Sequence, residues 1–203
     1  MGITDQLASS LGREDDAPNV ALAEALVASP YPDSVAELVE ILSIGSAAES
    51  SDAIKVLYEL AARDPDQVVP HTDALADYLL NRNTRLVWGA ATALDAVAQA
   101  HPDAVAVHID ALISAVKAGS VITQDHGIGA LAATERWDAL AFVLDHLASC
   151  GAKYLPLRAE RVAPHFVGEW GQRFRDLVSK RLDEASASGQ TRLKRLLKDV
   201  NNS

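Results

Sequence analysis

Cysteine occurs once in the 203 residues, at Cys150, which excludes an intramolecular disulfide framework and any multi-cysteine zinc site. One thiol without bridges is what a reducing cytoplasm leads us to expect. Aromatic residues make up only 5% of the chain although 49% of it is apolar, so Ala, Leu and Val carry the hydrophobicity. That balance favours closely packed helices over a β-sandwich. No apolar segment approaches the roughly 18 residues of a membrane span. The opening MGITDQLASSLGREDDAPN has no basic start and no apolar centre, so it does not read as a secretory signal. Gln6 also stands where myristoylation needs Ser or Thr. A soluble, cytoplasmic protein with no membrane partner is the expectation.

Basic residues are scarce and unevenly placed. Residues 1–152 hold 7 Lys/Arg against 22 Asp/Glu, a net −15, whereas residues 153–203 hold 11 against 6, a net +5. The acidic body is expected to repel nucleic acid and anionic membrane. The basic C-terminal segment suits either an outside partner or an intramolecular contact with the acidic body.

What the chain does contain is a repeat. DPDQVVPHTDAL, at residues 64–75, returns as HPDAVAVHIDAL at residues 101–112, keeping Pro, Asp, Val, His, Asp, Ala and Leu. A third copy, RWDALAFVLDHL at residues 136–147, retains Asp138, Ala139, Asp145 and Leu147, and PDSVAELVEIL at residues 32–42 is a weaker, earlier one. Self-similarity at this period marks stacked structural units. Each unit reads as two helices. In residues 84–100, Val87, Ala90, Ala91, Leu94, Val97 and Ala98 follow the rhythm of one buried helical face. HPD then stops that helix and starts the next, with Asp103, like Asp66 before it, placed to cap the new N-terminus. The second helices are expected to run unbroken, residues 67–80 in one unit, with Val105, Ile109, Leu112, Ile113 and Val116 buried in the following one.

HTDALADYLLNRNTRLVWGAATALDAVAQAHPDAV, residues 71–105, resembles the HEAT-repeat family of the armadillo/HEAT superfamily. The polar NRNT turn leading into RLVWGAATALDAVA carries the resemblance, and Trp88 departs from it where many such repeats have Arg. The similarity covers about residues 51–149. It implies an all-α fold, an α-α superhelix in the form of a right-handed solenoid of about four helical hairpins. Its second helices would line a concave binding surface. The expected division is 1–156 for the repeats with an N-terminal cap (residues 3–11 and 20–44) and 157–203 for a C-terminal helical cap. In that cap, SASGQ is expected to break the chain before a last basic helix striped by Leu193, Leu196, Leu197 and Val200.

Candidate sites are few. Residues two apart on a helix point about 200° apart, so His71 with Asp73, and His108 with Asp110, do not converge within one repeat. Packing histidines near the seam and solvated aspartates explain them, and Val143 replaces the histidine in the next copy, which weakens a metal ladder. In TQDHGIGALAA the glycines do not form a phosphate loop, and close helix contact accounts for them. Asp125 and His126 of that segment remain candidates for a groove edge. Trp137-Asp138 superficially resembles the pairing used by HEAT-like DNA glycosylases, but packing at a turn is the expected role of Trp137. Cys150, near a helix end, is expected to be structural.

No catalytic residue, cofactor or metal is expected. The expected function is a noncatalytic protein-interaction scaffold with an acidic groove for an unidentified protein or peptide, contacted through Asp73, Asp110, Asp145, Asp125 and His126. The alternatives are a nucleic-acid repair factor of the HEAT-like glycosylase type and an accessory lyase or chaperone-like subunit.

Overall fold

Residues 2–30 and 33–200, the side chain of Val200 apart, are described by the computed structural model of the chain. All regular structure among them is helical. Pro32, at the head of the weakest repeat copy, and the side chain of Val200, in the C-terminal stripe, lie outside the described residues. The chain folds as two compact units divided between Ala130 and Leu131, so the repeat boundary expected at 156/157 falls inside the second.

The first unit begins with a 3-10 turn, Thr4–Gln6, followed by α1 (Ala17–Ala28), α2 (Ser34–Ile44) and α3 (Ala47–Arg63). Ser46 and Glu49 start α3 by capping each other's backbone amides, the reciprocal arrangement that satisfies two orphan donors at once. Next come α4 (Pro65–Val68), α5 (Thr72–Asp77), α6 (Thr84–Ala100), α7 (Pro102–Ala106), α8 (Ile109–Ala118) and α9 (Val121–Ala133), the last of which crosses the division after Ala130. α3 packs against α1, α2 and α6. Ile54, Leu57 and Leu60 of α3 and the predicted face of α6, from Val87 to Ala98, are buried. Gly89 explains the closeness of α3 and α6: a Cβ there would stand 2.5 Å from Ile54 Cγ1. The N-terminal segment is held by a buried polar cluster. Asp52 accepts hydrogen bonds from the Ser9 amide (2.8 Å) and Asn19 Nδ2 (2.7 Å), and Asn19 Oδ1 accepts one from the Ala8 amide (3.0 Å).

Two sequence expectations fail at the second helices. They are not continuous: α4 gives way to a 3-10 turn, Val69–His71, before α5, and α7 is separated from α8 by Val107 and His108. Pro70 explains the first break, because it has no amide hydrogen and its ring crowds the preceding turn. The second break falls at the equivalent place without a proline. There the His108 amide bonds back three residues to Val105, and His71 and His108 adopt nearly the same backbone angles. Nor do Asp66 and Asp103 cap. Asp64 and His101 hold the cap positions, proline follows each, and the two aspartates stand one residue further in. Pro at the first helical position is preorganised for the turn and shifts the start by that residue.

The second unit contains α10 (Trp137–Ser149), α11 (Leu155–Val162), α12 (Gly168–Arg181) and α13 (Ala187–Val200). Pro164 ends α11 in a 3-10 turn, Ala163–His165. SASGQ does not break the chain: α13 already runs through Ser188, Gly189 and Gln190, because Ser186 Oγ accepts the Gly189 amide and caps it. α13 lies against α11 and α12. Leu193 is fully buried there, Leu196 and Leu197 are half-buried, and Arg192 makes a two-pronged ion pair with Glu160 of α11. Phe166 and Phe174 stack at 5.1 Å in the same core. Arg158, 2% exposed, donates to His146 Nε2 (2.9 Å) and lies over the Tyr154 ring.

Candidate functional site

The charged outward residues of the second helices in the first unit are nearly all acidic. Asp33 and α2 contribute Asp33, Glu37 and Glu40; α4 and α5 contribute Asp66, Asp73 and Asp77; α7 and α8 contribute Asp103 and Asp110, all exposed. Lys117, in the last turn of α8, is the only Lys or Arg on those helices. Solvent and distance screen such charges from one another, so the surface holds a negative potential without unfolding the unit.

Shallow grooves adjoin these helices. Val39, Ser43, Ala74, Asp77, Tyr78 and Asn81 line one, and Leu79, Thr84, Val87, Ser114, Ser120 and Thr123 help line another of about 240 Å³. Tyr78 lies in the first groove, and burial, with Asp77 beside it, pushes its phenol pKa up.

The repeated His and Asp side chains do come together, but across repeats. His101 Nε2 is 2.5 Å from Asp66 Oδ1, 35 residues earlier. His108 Nε2 is 3.0 Å from Asp73 Oδ1, close enough for an ion pair yet poorly aligned for a hydrogen bond. Asp73 is 91% exposed and so presents its second oxygen to solvent. Burial lowers the pKa of His71, and among the described residues no aspartate of the preceding repeat pairs with it. Helical geometry within one repeat predicts separation, and the neighbouring sequence repeat supplies the partner that one repeat cannot.

Asp110 and Asp145 are exposed, the latter on α10 of the second unit, while Asp125 is half-buried on α9. His126, next to Asp125 on α9, is half-buried as well. Its Nδ1 is 2.8 Å from Oδ2 of the buried Asp95 on α6, and Gln99 also donates to Asp95. Gly129 lets α9 approach: a Cβ there would be 2.4 Å from Asp95 Oδ1. The glycines of TQDHGIGALAA thus serve helix contact.

Trp137 departs from expectation. It is 70% exposed at the first position of α10, so packing at the turn does not account for it. Its ring meets Trp170 edge-to-face at 6.1 Å. Cys150 is buried at the end of α10, its Sγ 3.7 Å from Arg181 Nη1; Arg181 also donates to the Leu147 carbonyl. Among the described residues no three His, Cys, Asp or Glu side chains are grouped to hold a metal ion, and no helix is long and apolar enough to cross a membrane.

No family model and no curated protein matches the chain. Solved structures do resemble it. An engineered protein from the Northeast Structural Genomics Consortium aligns over 100% of this chain and 98% of its own with a TM-score of 0.68 at 18% identity. A second engineered protein gives 0.65 at 16% identity, over 98% of this chain and 58% of its own. A third gives 0.63 at 19% identity over the whole of both. At these identities the likeness is one of fold.

Proposed function

We propose that this chain is a noncatalytic protein-interaction module, a HEAT-like α-α superhelix of about four hairpins whose second helices form the binding face, working in the cytoplasm. The observation that carries this reading is the charge of that face: eight exposed carboxylates, from Asp33 to Asp110, against Lys117 alone. A surface of one sign steers an oppositely charged partner and rejects like-charged ones, and this sign disfavours nucleic acid. The partner is therefore a protein or peptide with a basic contact surface. Asp77 and Asp110 are the side chains expected to matter most, since Asp66 and Asp73 already face histidines of the next repeat.

The test is affinity capture from a lysate at low and high salt, followed by measurement of the purified partner. Asp77→Lys with Asp110→Lys should weaken binding far more than Glu14→Lys, an exposed acid outside the second helices. Equal weakening by both, or capture insensitive to salt, would count against the acidic face. The exposure of Trp137 and the net positive charge of residues 153–203 speak for the nucleic-acid reading, and the neighbouring carboxylates Glu135 and Asp138 speak against it.

A further inference from the structure

The tryptophans of this chain follow a pattern with one exception. Trp88 carries the guanidinium of Arg85 over its ring at 5.5 Å, and Trp170 carries that of Arg173 at 4.9 Å. Each cation comes from three residues away on the same helix, the spacing that places side chains one above the other. Such stacking satisfies the negative face of the indole, which attracts cations more strongly than the other aromatic rings do. Among the described residues no guanidinium or ammonium lies over Trp137. Three residues before it stands Thr134 and three after it Leu140, and both are buried. Trp137 is also the most exposed of the three tryptophans.

The residues around it are acidic by one charge. Exposed Glu135 and Asp138 stand two residues before and one after it, with the exposed Arg136 directly before the ring, and Glu135 holds a positive backbone φ of 52°. A non-glycine residue is uncommon in that region, and the turn it makes leads through Arg136, the N-cap residue, into Trp137 at the head of α10. Trp170, packed edge-to-face against the ring at 6.1 Å, restricts how the indole can turn. An indole 70% exposed, with two carboxylates against one cation in the residues next to it, is complementary to a planar cation, which can stack and hydrogen-bond at the same time.

We propose that Trp137, with Glu135 and Asp138, is a receptor for an arginine side chain presented by a partner protein. The two occupied tryptophans argue for guanidinium over other cations, since both use arginine. This inference is independent of the second-helix face of the first unit, and the variants that test one leave the other unaltered.

The experiment uses the full chain and the indole N–H signals of its three tryptophans in NMR, that of Trp137 assigned by its loss in Trp137→Phe. Titration with N-acetyl-arginine amide should shift the Trp137 signal saturably. N-acetyl-citrulline amide, the same shape without charge, should bind several-fold more weakly. Glu135→Gln with Asp138→Asn should weaken the arginine response several-fold while the other indole signals stay in place. The proposal is overturned by an absent or non-saturating response, by equal binding of citrulline, or by equal shifts at Trp88. Indifference to loss of the two carboxylates overturns it as well. Tighter binding of free arginine than of the capped amide would point to a small-molecule site and overturn the protein partner.

Discussion

His101 and Asp66 belong to successive repeats and meet at 2.5 Å, each near the start of a second helix. Asp66 is 79% exposed, so water screens the pair despite its short distance. A double-mutant cycle with Asp66→Asn and His101→Gln should give a coupling of about 1 kcal/mol or less in urea denaturation. A coupling above about 2 kcal/mol would show that the pair is desolvated.

Gly129 offers a sharper stability test. Gly129→Ala forces a methyl into the space of the Asp95 carboxylate and should cost about 1–3 kcal/mol, the usual range for overpacking. Gly151→Ala, where the added Cβ would meet nothing closer than 3.6 Å, is the comparison and should be near neutral in the same denaturation series.

His71 sets a pH dependence. Burial depresses its folded-state pKa below the unfolded value, so the folded state favours the neutral ring. Its contribution is complete above the ordinary histidine value of about 6.5 and is lost as pH falls through the lower folded-state pKa. His71→Gln should therefore lose less stability than the parent chain between neutral and mildly acidic pH, read from thermal melts across that interval. An unchanged slope would mean that the ring gains its proton in the fold as easily as in the unfolded chain.

Glu160 has the corresponding behaviour as an acid. The hydrogen bond from Arg192 holds its carboxyl below the usual range, against an opposing effect of burial. The stability it adds is present above the unfolded carboxylate value and disappears as acid protonates the folded form. Arg192→Gln should flatten that part of the acid limb while leaving the neutral-pH fold intact. Leu193→Ala, by contrast, removes a fully buried side chain and should cost about 2–5 kcal/mol at any pH.

The face of α6 was legible because burial repeats every turn, and the sequence alone placed that helix at residues 84–100. Pro70 signalled a break that periodicity overrode, and the matching break at His108 has no local signal. The pairings of Asp66 with His101 and of Asp95 with His126 join residues more than thirty apart. Only the juxtaposition of helices far apart in the chain reveals them, although the recurrence of His and Asp hinted at shared positions. The exposure of Trp137 was hidden for another reason: a large aromatic is expected inside, and nothing in the flanking residues states that the helix begins on the surface.

Asp52 has a consequence for the order in which the first unit assembles. Its carboxylate lies inside the unit, and its donors, the Ser9 amide and Asn19, arrive from 43 and 33 residues away in the chain. Until that early segment docks, burying the charge is unfavourable, so α3 must stay partly hydrated on that side. The N-terminus is therefore the bolt that completes the unit, and a chain trimmed past Ser9 should emerge with its first long helix unfinished along one flank.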